Sequence, residues 1–89
     1  MVYQVFSVRD SKGELFAAPF CMSNVALAIR KVSEFVNNPG SELSKYPGDF
    51  TLYHIGTFDE VSGVLTALSP VKLINVLSDF VQNPLEVRK

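Results

Sequence analysis

"FTLYHIGTFDEVSGVLTAL", running from Phe50 to Leu68, is the stretch on which the fold turns. Phe50–Phe58 is rich in aromatic and β-branched residues, which fit a pleated, half-buried surface better than a helix. Asp59-Glu60-Val61-Ser62-Gly63 then supplies turn chemistry, and Val64–Leu68 resumes the apolar pattern. The stretch predicts a β-hairpin. In an unbroken strand Phe50, Leu52, His54, Gly56 and Phe58 share one face, and Thr51, Tyr53, Ile55 and Thr57 the other.

A second hairpin is expected upstream. Val2–Val8 is β-branched and aromatic, "RDSKGE" (Arg9–Glu14) turns around Gly13, and Leu15–Phe20 returns, with Pro19 assigning the return strand to an edge. Between the hairpins Val25, Ala28, Ile29, Val32, Phe35 and Val36 recur at spacings of three and four. The spacing predicts a helix over about 24–37, N-capped by Ser23 and stopped by Asn37-Asn38-Pro39-Gly40. A polar loop then leads to Pro47-Gly48. After the later hairpin, Ser69-Pro70 reads as an N-cap with proline at the first helical position, and Leu73, Ile74, Leu77, Phe80 and Val81 fall on one helical face. Val71–Leu77 is also β-rich, which leaves a strand open there; a short C-terminal helix is the reading adopted. Asn83-Pro84 ends it, and residues 83–89 are expected to form a loose tail. The order ββαββα describes one α+β domain over residues 1–89, a small antiparallel sheet with one long helix and a short C-terminal one on the same side.

Composition agrees with a small globular domain: 89 residues, 47% apolar and 19% charged. A core this small leaves stability marginal, so a homo-oligomer is a natural supplement. The formal net charge of −1 provides no global field that would draw the chain to nucleic acid or an anionic membrane. A single cysteine allows no internal disulfide, and with no apolar signal segment and no membrane-length apolar run the expected compartment is reducing cytoplasm.

Chemistry-bearing residues are sparse. His54 is the one histidine, and Cys21, flanked by Phe20 and Met22, is expected to be buried and inert. Together they fall short of the ligand count of a closed zinc site, and a Cys21–His54 nucleophile and base lacks an orienting group. Asp59-Glu60 suits a solvated turn, and the glycines are scattered rather than gathered into a phosphate loop. No enzyme, metal or cofactor is expected. The positive side chains form the remaining candidate site: Arg9 and Lys12 by the first turn, Arg30 and Lys31 on the helix, and Lys45 beside Tyr46. Cations with exposed rings can track a nucleic-acid backbone while bases stack. Neighbouring acids such as Asp10, Glu14, Glu34, Glu42 and Asp49 keep an ordinary solvated surface as the competing reading.

Four segments, "FSVRDSK" (Phe6–Lys12), "PF" (Pro19-Phe20), "AIRKVSEFVNNP" (Ala28–Pro39) and "SKYPGDFTLYHIGTFDEVSG" (Ser44–Gly63), resemble the small non-structural protein of gokushoviruses, microviruses with circular single-stranded DNA genomes. The resemblance spans about two thirds of the chain, from Phe6 to Gly63. It implies expression in the cytoplasm of an infected bacterium and a role in single-stranded genome synthesis or its coupling to packaging. The expected partner is single-stranded DNA, bound by an oligomer. The alternative is an adaptor that contacts the viral replication initiator, procapsid or a host factor without DNA.

Overall fold

The computed structural model of the chain describes residues 1–82; the expected tail at 83–89 lies outside them. Strands β1 (Val2–Asp10), β2 (Leu15–Phe16) and β3 (Phe20–Met22) precede helix α1 (Val25–Val36) and a single helical turn, α2 (Glu42–Lys45). A 3-10 turn (Pro47–Asp49) leads into β4 (Phe50–Asp59) and β5 (Leu65–Val76), and a second 3-10 turn follows (Leu77–Phe80). All pairings are antiparallel, in the order β2-β1-β4-β5, with β3 also on β1.

Because β4 occupies one edge of β1 along its whole length, β2 and β3 must share the other. They are two pieces of one edge strand. Its interruption falls at Ala17-Ala18-Pro19, where proline has no N–H to donate. The Ala17 carbonyl left there accepts a hydrogen bond from the buried Ser7 hydroxyl at 2.7 Å.

Both expected hairpins form, and the element order departs from ββαββα at the C-terminus. Residues 71–76 continue β5 instead of starting a helix, pairing Lys72 with His54, Leu73 with Tyr53, Asn75 with Leu52 and Val76 with Thr51. A helix here would bury one apolar stripe and leave the long edge of β4 unpaired. The strand satisfies that edge and suits the β-branched residues. Ser69-Pro70 is a cis peptide within residues 68–71 of β5, which have no partners in the β4 ladder, so the missing N–H of Pro70 costs no pairing. One 3-10 turn then drops Leu77 into the core, the only part of the expected helical face that is fully buried.

Helix α1 lies where its apolar spacing predicts, with Ala28, Val32 and Val36 buried. Its cap is Asn24 rather than Ser23: Asn24 is extended, and its side-chain oxygen accepts from the Leu27 amide at 2.9 Å. Asn24→Ala is therefore expected to cost about 1 kcal/mol, lowering the melting temperature by roughly 4–8 °C, with little effect from Ser23→Ala. Thermal denaturation of the two variants decides it; equal melting points would reassign the cap. At the other end Asn37 donates to the Ser33 and Phe80 carbonyls, both at 2.9 Å, and accepts from the Gln82 amide at 2.8 Å. One side chain thus closes the helix and fastens the C-terminal turn to it.

The core is a single cluster of Phe6, Ala28, Val32, Val36, Leu52 and Leu77 between α1 and one face of the sheet. The other face carries no helix. The simple alternation expected for β4 fails midway. Opposite Val5 and Phe6 the register slips, pairing Phe6 with His54 and Val5 with Gly56, so Ile55 is an extra residue. Cross-strand partners share a face, so a one-residue insertion inverts everything beyond it. Phe50, Leu52 and His54 point toward the helix with Phe6; Gly56 and Phe58 go with Val5 and Tyr3 to the far side. At the tip the Val61 and Ser62 amides bond the Asp59 carboxylate, and the Val61 bond above all holds it below the usual carboxylate range.

Candidate functional site

Of the six residues expected to contact nucleic acid, only Lys12 and Tyr46 are brought together; the others occupy separate stations. Arg9 lies near the end of β1, half-buried, with its guanidinium carbon 5.9 Å from the centre of the Phe16 ring. Lys12 stands in the turn between β1 and β2, where its amide donates to Asp10 at 2.9 Å. Lys12 and Tyr46 are brought together on a shallow depression of about 240 Å³ that Asp10, Glu42 and Asp49 also line. Three carboxylates against one ammonium make the floor of that depression a poor seat for a phosphate. Arg30 and Lys31 are exposed on α1, Lys31 with its ammonium 5.8 Å from the Phe35 ring centre. Lys45 closes α2 and is also exposed. Among the described residues the one ion pair joins the Met1 amino group to Glu60 at 3.3 Å, so none of these five cations is held in a salt bridge. The neighbouring acids expected from sequence therefore do not lock them.

A second feature had no counterpart in the sequence reading. Between the broken edge strand and α1 runs an apolar groove of about 500 Å³, walled by Val8, Phe20, Val32, Phe35, Leu43 and Phe50. Lys31 and Asp10 also border it. Its walls come from β1, β2 (Leu15 and Phe16), β3, α1, α2 and β4, distant segments that no local periodicity relates.

His54 is half-buried and packs for structure: its ring stacks on Phe6 with centroids 5.1 Å apart and planes 29° apart. Its Nε2 sits 3.1 Å from the Gly56 carbonyl, which can only accept, so Nε2 donates that bond. Cys21 is exposed, not buried as its apolar neighbours suggested, because the edge strand turns it outward opposite Val5. Partners of Val5 and Phe6 point to opposite faces, so Cys21 and His54 do not assemble as nucleophile and base. Among the described residues no group of three or more His, Cys, Asp or Glu side chains gathers to hold a metal ion, and no helix is long and apolar enough to cross a membrane.

The helix-free face adds two rings that the sequence reading left out. Register places Phe16 opposite Arg9, and Tyr53 opposite Ser7. The rings meet edge to face at 5.3 Å. The alternation of Val8 and Arg9 across β1 is the signal that marks Arg9 as pointing away from the core; locating Phe16 and Tyr53 beside it requires the strand pairing.

Among known protein families, a family model described as Phage ORF5 protein matches residues 3–80. No curated protein and no solved structure matches the chain.

Proposed function

The chain belongs to the Phage ORF5 protein family, and from that premise we propose that it is a non-enzymatic accessory protein of a gokushovirus-type phage that binds single-stranded DNA as a homo-oligomer. It acts in single-stranded genome synthesis or its coupling to packaging, in the cytoplasm of the infected bacterium. The observation that carries this reading is the pairing of unbridged cations with accessible aromatic rings, Arg9 with Phe16 and Lys31 with Phe35. Sequence-tolerant binding of single strands needs this combination, since the cation meets the backbone while a ring stacks on a base of any identity. The resemblance to a protein of single-stranded DNA phages points the same way.

The spread of the cations over separate stations, with a net charge of −1, makes one copy a weak binder. Several copies aligned along a strand multiply weak contacts through effective concentration. The test is fluorescence anisotropy of a labelled single-stranded oligonucleotide beside its duplex. Saturable binding that prefers the single strand is expected. About three phosphate contacts per binding unit would weaken it roughly tenfold or more between 50 and 200 mM salt. Lys31→Glu or Lys45→Glu should weaken binding and flatten that salt dependence.

A second reading rests on the apolar groove. As an adaptor, the protein would seat an apolar segment of the viral initiator, procapsid or a host factor between α1 and the edge strand, with no DNA involved. Absence of any anisotropy change at about 100 μM protein in low salt, the weak limit of ordinary non-specific affinity, overturns the DNA reading in its favour.

A further inference from the structure

We propose that the helix-free face of the sheet carries a base-stacking subsite for single-stranded nucleic acid, built by Phe16, Tyr53 and Arg9. The inference rests on the DNA reading above and assigns it a place and a mechanism.

Phe16 is 45% exposed and borders one side of the apolar groove. Its pairing with Arg9 turns the ring toward the helix-free face. There it is held from two directions. Tyr53 meets it edge to face at 5.3 Å, and the Arg9 guanidinium lies 5.9 Å from its centre. Ser7, on the same face opposite Tyr53, is buried and tied to the Ala17 carbonyl, so the rings stand on a firm floor. A ring fixed in place loses little freedom when a base stacks on it.

The charge of this end of the face suits a polyanion. The strand residues that register places around the rings are Ser7, Arg9, Thr51, Leu73 and Val76, with no carboxylate among them. Asp10, next in sequence to Arg9, alternates to the helix side and lines the groove. Glu60 stands at the far end of the sheet, paired with the Met1 amino group. Arg9, in no salt bridge among the described residues, therefore presents a guanidinium beside the Phe16 ring, a pairing that suits a phosphate and a neighbouring base at once.

The experiment is the anisotropy titration with an oligothymidylate of about 20 nucleotides, long enough for more than one binding unit. The protein is full-length wild type, Phe16→Leu, Phe16→Tyr, Tyr53→Leu and Arg9→Lys, each checked for an unchanged circular dichroism spectrum. Phe16→Leu keeps apolar bulk and removes the ring. It is expected to weaken binding about tenfold or more with the salt dependence unchanged, whereas Phe16→Tyr retains wild-type affinity. Tyrosine fluorescence should be quenched on saturation in wild type and less so in Tyr53→Leu.

If wild type does not bind, the DNA reading falls and the subsite with it. If wild type binds and Phe16→Leu stays within twofold, the subsite is overturned while the DNA reading stands. If Phe16→Leu instead lowers the oligomer mass in sedimentation, and higher protein concentration restores its DNA affinity, the face joins copies of the chain and the subsite is likewise overturned.

Discussion

Phe6→Ala is expected to lose about 3–5 kcal/mol of folding free energy, a large share of the roughly 4–13 kcal/mol typical of a chain of this size. Phe6 is completely buried at the centre of the core. Its ring lies 5.9 Å from that of Phe20 and stacks at 5.1 Å on His54, so it joins the edge strand, β1 and β4 in one contact. Truncation removes the burial of a whole ring, leaves a cavity that rigid strands on both sides cannot fill, and strips His54 of its stacking surface. Urea denaturation followed by circular dichroism measures the loss, and a population already unfolded without urea is the extreme expected result. Phe6→Leu preserves most of the volume and should cost about 1–1.5 kcal/mol. A Phe6→Ala variant within about 1 kcal/mol of wild type would mean that the core is not where this fold places it.

Gly56→Ala is the second large effect, and it comes from backbone rather than from a missing side chain. A Cβ at Gly56 would stand 2.4 Å from the Thr66 carbonyl oxygen and 3.3 Å from its carbon. No rotamer change relieves a clash with main chain, so β4 and β5 must separate where Gly56 pairs with Ala67. The expected cost is about 3 kcal/mol, a fall in melting temperature of roughly 12–24 °C. Amide exchange should accelerate first in the neighbouring Thr57–Thr66 and Phe58–Leu65 pairs. Gly48→Ala is the comparison: nothing lies within 4 Å of its added Cβ, so its melting point should match wild type or exceed it slightly. Equal melting points for the two variants would reject the close approach.

Much of the fold is legible without coordinates because it is written in short-range patterns. The three- and four-residue spacing from Val25 to Val36 predicts α1, and the turn chemistry of Arg9–Glu14 and Asp59–Gly63 predicts both hairpins. The exchange of Ser23 for Asn24 as cap is a one-residue ambiguity between two good capping side chains. The C-terminal segment is harder, since Val71–Val76 satisfies a helical stripe and a strand composition equally. What decides it is the edge of β4, which lies about 20 residues upstream and is left unpaired if the segment coils. No local window contains that demand.

The same division runs through the candidate site. Residue types alone nominate Arg9, Lys12, Arg30, Lys31, Lys45 and Tyr46, and set Cys21 and His54 apart from catalysis. They do not say which cations stand together. Lys12 and Tyr46 meet among three carboxylates, and on the helix-free face Arg9 meets Phe16, which in turn meets Tyr53. Phe16 and Tyr53 lie 37 positions apart and come together because both strands flank β1. The extra residue at Ile55 then determines which face each half of β4 presents. Side-chain type and local spacing dictate helices, turns and strands because those depend on neighbours within a few residues; pairing, register and bulges dictate the site because they are settled by backbone hydrogen bonds between distant segments.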